Sequence, residues 1–91
     1  MITKRVEIEV SGKVQGVFFR DGLRQKAEEL GLTGWVQNEP SGSVRVVAEG
    51  DELGLQKLIE WSRLGTEQAR VEKIKVEWGE AKGEFKEFSI R

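Results

Sequence analysis

Val6-Glu7-Ile8-Glu9-Val10-Ser11-Gly12-Lys13-Val14-Gln15-Gly16-Val17-Phe18-Phe19-Arg20-Asp21 begins on a strict alternation and then abandons it. Val6, Ile8 and Val10 alternate with Glu7, Glu9 and Ser11, a period of two that marks a strand with one buried face. From Ser11 to Arg20 the period is lost and Gly12 and Gly16 interrupt the run, which reads as a loop. Asp21 is placed to cap a helix whose stripe is Leu23, Ala27 and Leu30, with Gly31 as its stop.

Outward from there, Leu32 to Asn38 carries Trp35 and Val36 and reads as a second strand. Glu39-Pro40-Ser41-Gly42 suits a type I turn, with Pro at the second position and Gly at the fourth. Val44, Val46 and Ala48 then share one face of a third strand. Asp51 opens a second helix with Leu55, Leu58, Ile59 and Trp61 facing inward, and Gly54 weakens its first turn by about 1 kcal/mol relative to Ala. Gly65 to Ala69 is a connection. Ile74, Val76 and Trp78 alternate with Lys73, Lys75 and Glu77 in a fourth strand, Gly79 to Gly83 turns the chain, and Phe85, Phe88 and Ile90 suggest a short terminal strand at a sheet edge.

The order β-α-β-β-α-β-β predicts an α/β (α+β sandwich) fold of the ferredoxin-like, split βαβ kind. That is βαββαβ plus a short C-terminal strand, a mostly antiparallel sheet with two helices on one face. A helical crossover separates the first two strands, so they run parallel in the sheet and their carboxyl ends share an edge. The Ser11–Arg20 loop, the start of the first helix and Asn38 therefore meet at one edge. Helix N–H groups and the positive end of the helix dipole point there, which suits an anion. With Gly16 allowing a close turn, N–H groups from Gln15 to Arg20 can converge on one tetrahedral anion. Arg20 adds a planar donor fork, and the Asn38 amide both donates and accepts.

Composition narrows the chemistry. At 91 residues the chain is expected to be one domain, spanning 1–91, that buries roughly two-thirds of its unfolded surface. Its 15 basic and 16 acidic residues leave a net charge of −1, which gives no electrostatic case for nucleic acid. There is no cysteine and no histidine, which excludes thiolate catalysis, disulfides, Cys-based metal sites and every His-containing triad. No apolar leader and no run of membrane-spanning length is present, so cytoplasmic residence without membrane association is expected. No metal and no cofactor is called for.

Gly12-Lys13-Val14-Gln15-Gly16-Val17-Phe18-Phe19-Arg20 resembles the signature loop of the acylphosphatase family. Gly34-Trp35-Val36-Gln37-Asn38 resembles that family's second motif, and Ser41-Gly42-Ser43-Val44 with Glu49-Gly50 continues it. The similarity covers essentially the whole chain. It implies hydrolysis of an acyl phosphate to a carboxylate and inorganic phosphate, by a metal-independent enzyme expected here to be a monomer. It further implies a cradle of loop N–H groups from Gln15, Gly16, Val17, Phe18, Phe19 and Arg20, with the Arg20 side chain on the phosphate and Asn38 orienting the water. Phe18 stands where Gly is frequent, Asp21-Gly22 where a large residue is frequent, and Gly65-Thr66-Glu67-Gln68 where many members carry Gly-Pro-Pro. Asp21 and Glu39 each set a carboxylate beside a proposed site residue.

Blander readings stand beside these. Arg20 alone reads as a surface residue paired with Asp21, Asn38 as a turn-entry residue, and Trp35, Trp61 and Trp78 as packing. Two other functions share the fold: an RNA-recognition module, disfavoured by the lack of aromatics in Val44-Arg45-Val46-Val47-Ala48, and a phosphate binder without turnover.

Overall fold

The computed structural model describes residues 3–91. Its element order is β1 (Thr3–Lys13), α1 (Phe19–Glu29), β2 (Thr33–Asn38), β3 (Val44–Asp51), α2 (Glu52–Leu64), β4 (Arg70–Glu80) and β5 (Phe88–Ile90). The strands form one five-stranded sheet in the order β4-β1-β3-β2-β5. β1 and β2 are both antiparallel to β3, hence parallel to each other, and only the β2–β5 pair is directly parallel. The order of elements and the mostly antiparallel sheet agree with the expectation from sequence.

Alternation builds the core. Val6, Ile8 and Val10 of β1 lie opposite Ala48, Val46 and Val44 of β3, and all six are buried. Leu23 and Ala27 of α1, with Leu55, Leu58 and Ile59 of α2, close over that face. Phe19 and Trp61 join the two helices, their ring centroids 5.3 Å apart and tilted at 59°. Burial of this apolar face is the main term holding the sheet to the helices.

β1 runs to Lys13, beyond the break expected at Ser11, by slipping register between Ser11 and Gly12. Gly12 makes the slip feasible: its φ is 124°, and a Cβ there would collide with the carbonyl oxygen of Arg70 on β4. The β2–β3 turn closes as expected, Gly42 N–H donating to the Glu39 carbonyl at 3.0 Å. Asp51 caps α2 through its side chain, accepting from Gly54 N–H at 2.9 Å.

Some expectations are corrected. Asp21 is not the cap of α1: the helix starts at Phe19, and Phe18 holds the cap position with no side-chain hydrogen bond. Trp78 lies at the end of the edge strand β4, where it stays 45% exposed rather than packed.

β4 and β5 occupy opposite edges, so residues 81–87 cross the end of the sheet. Glu49, buried on the face away from the helices, fixes that crossing. It accepts from the N–H groups of Lys82 at 2.9 Å and Gly83 at 3.0 Å, and from Arg5 Nη1 at 3.1 Å. Burial alone would raise its pKa. The two N–H groups and the Arg5 guanidinium outweigh that and hold the carboxyl below its ordinary value of 4.5. Phe85 of the crossing lies over the Arg5 guanidinium, 5.6 Å from ring centroid to Cζ.

Candidate active site

The loop between β1 and α1 is built around alternating anchors. Val14, Val17 and Phe19 point into the core, while Gly16 and Phe18 face outward. Gly16 and Phe18 both adopt left-handed backbone, with φ of 76° and 63°. For Gly16 that costs little. Phe18 is the sole non-glycine residue with positive φ among the described residues, a conformation that costs a side-chain-bearing residue about 1–2 kcal/mol.

Two hydrogen bonds orient the peptides of this loop. Phe18 C=O accepts from Gly22 N–H at 3.1 Å, the first bond of α1. Val17 C=O accepts from the Thr66 hydroxyl at 2.7 Å. Across a trans peptide the next N–H points the opposite way, so the Phe18 N–H is directed away from Thr66 and the Phe19 N–H away from the helix body. Among the described residues the N–H groups of Gln15, Gly16, Val17 and Phe18 find no acceptor in the protein. Donors left over at a strand-to-helix loop are an arrangement that suits an anion.

Gln15 performs a different task with its side chain. Its Nε2 donates to the carbonyls of Glu39 at 2.8 Å and Ser43 at 2.9 Å, using both amide hydrogens. This ties the loop to the β2–β3 turn and so fixes it beside Asn38, the last residue of β2. The Asn38 Oδ1 is buried and has no hydrogen-bond partner among the described residues.

A cavity of about 290 Å³ opens beside the loop, lined by Val14, Gly16, Phe18, Phe19, Arg20, Asp21 and Ile90. The structure thus brings Gly16, Phe18, Phe19 and Arg20 to one cavity. Gln15, Val17 and Asn38 do not line it: Gln15 braces the turn, Val17 is buried in the core, and Asn38 stands at the adjacent strand end. Arg20 forms no ion pair among the described residues, so its pairing with Asp21 is not observed. Asp21 sits exposed in the first turn of α1, where the helix dipole favours a carboxylate. The Glu39 carboxylate is occupied instead with Gln37 Nε2 at 3.4 Å.

Ile90 and Thr66 were not among the site residues expected from sequence. Ile90 reaches the cavity because β5 pairs with β2, Ile90 lying opposite Val36. Its alternation with Phe88 was the available signal. Thr66 carried none, since its partner Val17 is remote in sequence.

The acylphosphatase family model matches residues 6–90. The chain belongs to the acylphosphatase family. Curated acylphosphatases from Rubrobacter xylanophilus and Marinobacter nauticus are 48% and 49% identical to it, over 98% and 97% of this chain and 81% and 96% of theirs. The crystal structure of acylphosphatase from Bacillus subtilis superposes with a TM-score of 0.93 at 35% identity, covering 97% of this chain and 98% of that one. The matched residues include both the cavity-lining loop and the strand that ends at Asn38. Among the described residues, no helix is long and apolar enough to cross a membrane.

Proposed function

We propose that this chain is an acylphosphatase that hydrolyses the carboxyl-phosphate bond of acyl phosphates without a metal ion. The observation that carries the reading is the β1–α1 loop, where Gly16 and Phe18, whose N–H groups find no acceptor among the described residues, border one cavity with Arg20 at the start of a helix. Membership of the family supplies the reaction type. The loop donors and the Arg20 fork bind the phosphate oxygens and offset the charge that builds on them in the transition state.

Water attacks phosphorus, the bond from phosphorus to the acyl oxygen breaks, and its electron pair leaves on the carboxylate. The water's protons end on phosphate oxygens, giving dihydrogen phosphate and a carboxylate. A leaving carboxylate, with a pKa near ~4–5, departs without a proton donor. No histidine is needed on that route, in keeping with a chain that contains none. Asn38 is too weak a base to take the proton, so its role is to hold the water in line.

The test is hydrolysis of benzoyl phosphate in the presence of chelator, by wild type, Arg20→Ala and Asn38→Ala. Metal-free turnover by wild type is expected, with a loss of roughly 10²-fold or more in each variant. A folded wild type that is protected by phosphate against unfolding but does not turn over would identify a phosphate binder instead.

A further inference from the structure

Phe18 is the feature of the site that phosphate chemistry leaves unexplained. The residue is 68% exposed, yet its backbone is held in the left-handed region, where glycine would sit without strain. Flanking side chains fix it there, for Val17 and Phe19 are both buried. The Thr66 hydroxyl holds the preceding carbonyl, and the Phe18 carbonyl starts the hydrogen bonding of α1. So constrained a backbone fixes the direction in which the Phe18 side chain leaves the loop.

Phe18 lines the same cavity as Arg20. With the phosphate oxygens facing the loop donors, the acyl group must project from the cradle toward solvent. Of the cavity's apolar lining, Val14 and Phe19 are almost wholly buried, so Phe18, with half-buried Ile90, is what a projecting group meets. We infer that Phe18 is a specificity-determining residue, whose ring packs against the acyl portion of the substrate and favours acyl phosphates with aromatic or bulky apolar acyl groups over those with small ones. This deepens the proposed hydrolysis and rests on it.

The experiment compares kcat/KM for benzoyl phosphate and acetyl phosphate in wild type, Phe18→Asn, Phe18→Gly and Phe18→Tyr. Asn and Gly both accept left-handed backbone, so they remove the ring and keep the loop. The ratio between substrates cancels the loop's phosphate contacts and the fraction of folded enzyme, and comparing that ratio between wild type and variant cancels the intrinsic reactivity of each substrate. The ratio is expected to fall by about threefold or more in Phe18→Asn and Phe18→Gly, as befits loss of an aromatic contact, and to be retained in Phe18→Tyr. A smaller fall, or an equal fall in Phe18→Tyr, overturns the inference while leaving the hydrolysis intact. Failure of wild type to hydrolyse either substrate overturns both.

Discussion

A buried amide oxygen without a partner is expensive, and Asn38 at the end of β2 carries one that meets no donor among the described residues. Leaving such an acceptor unmet costs about 1–3 kcal/mol. Asn38→Ala removes it, so the variant is expected to unfold in urea at a midpoint equal to or above wild type, with an unchanged m value. A midpoint lower by more than about 1 kcal/mol equivalent would mean that the oxygen stabilises the fold. At this scale Arg20 and Gly16 were legible because their chemistry is intrinsic: a guanidinium fork and a freedom to take positive φ. The cap of α1 was not legible. Propensity favours Asp21, but the burial of Val17 and Phe19 forces Phe18 into the cap, and tertiary packing outweighs a local preference of about 1 kcal/mol.

The elements that meet at the site are a loop and a turn joined by a single side chain. Gln15 donates to two carbonyls of the β2–β3 turn, each of which also accepts a backbone N–H, Glu39 from Gly42 and Ser43 from Glu39. Gln15→Ala is expected to cost roughly 2 kcal/mol of stability, two hydrogen bonds at about 1 each. It should also lower turnover, because the loop and Asn38 then lose their common brace. Gln15→Glu should cost more, since a carboxylate would face two carbonyl oxygens with no donor between them. Urea unfolding and single-turnover kinetics on both variants check this, and unaltered stability in Gln15→Ala would show the brace to be idle. From sequence, Gln15 was assigned to the cradle because it lies in the loop. Which way its side chain turns depends on Glu39 and Ser43, which become its neighbours only when the chain folds.

Across the whole molecule, the chain's path over the sheet end depends on Glu49. Its pKa is held below the ordinary 4.5, so the folded state binds its proton less readily than the unfolded chain does. That stabilisation is present above the ordinary value and is lost as pH falls through the depressed one. Wild type should therefore lose stability on acidification below about pH 4.5, and Glu49→Gln should lose less over the same window, while being less stable at neutral pH. Urea midpoints measured from pH 7 down to pH 3 for both proteins test this, and parallel slopes would remove Glu49 from the acid response. The sheet's composition was legible because each strand announces its own period. The crossing of residues 81–87 was not, because nothing local in Glu49 or Lys82 signals that they will meet.

The placement of β1 between β3 and β4 also governs how the molecule is made. Lys4 sits opposite Gly50 on one side and Glu80 on the other, so the first strand cannot find its second neighbour until most of the sequence is available. Contacts of such range close large loops before they return any energy, which places folding in the slower class of small proteins, milliseconds to seconds rather than microseconds. Meanwhile the β1–α1–β2 segment, which carries both family motifs, is contiguous in the chain. The β1–α1 loop is thus composed early as a sequence but acquires its brace and its cavity wall only when Ser43 and Ile90 arrive. Competence for catalysis is a property of the finished sheet, and a half-folded chain gains nothing from already holding the loop.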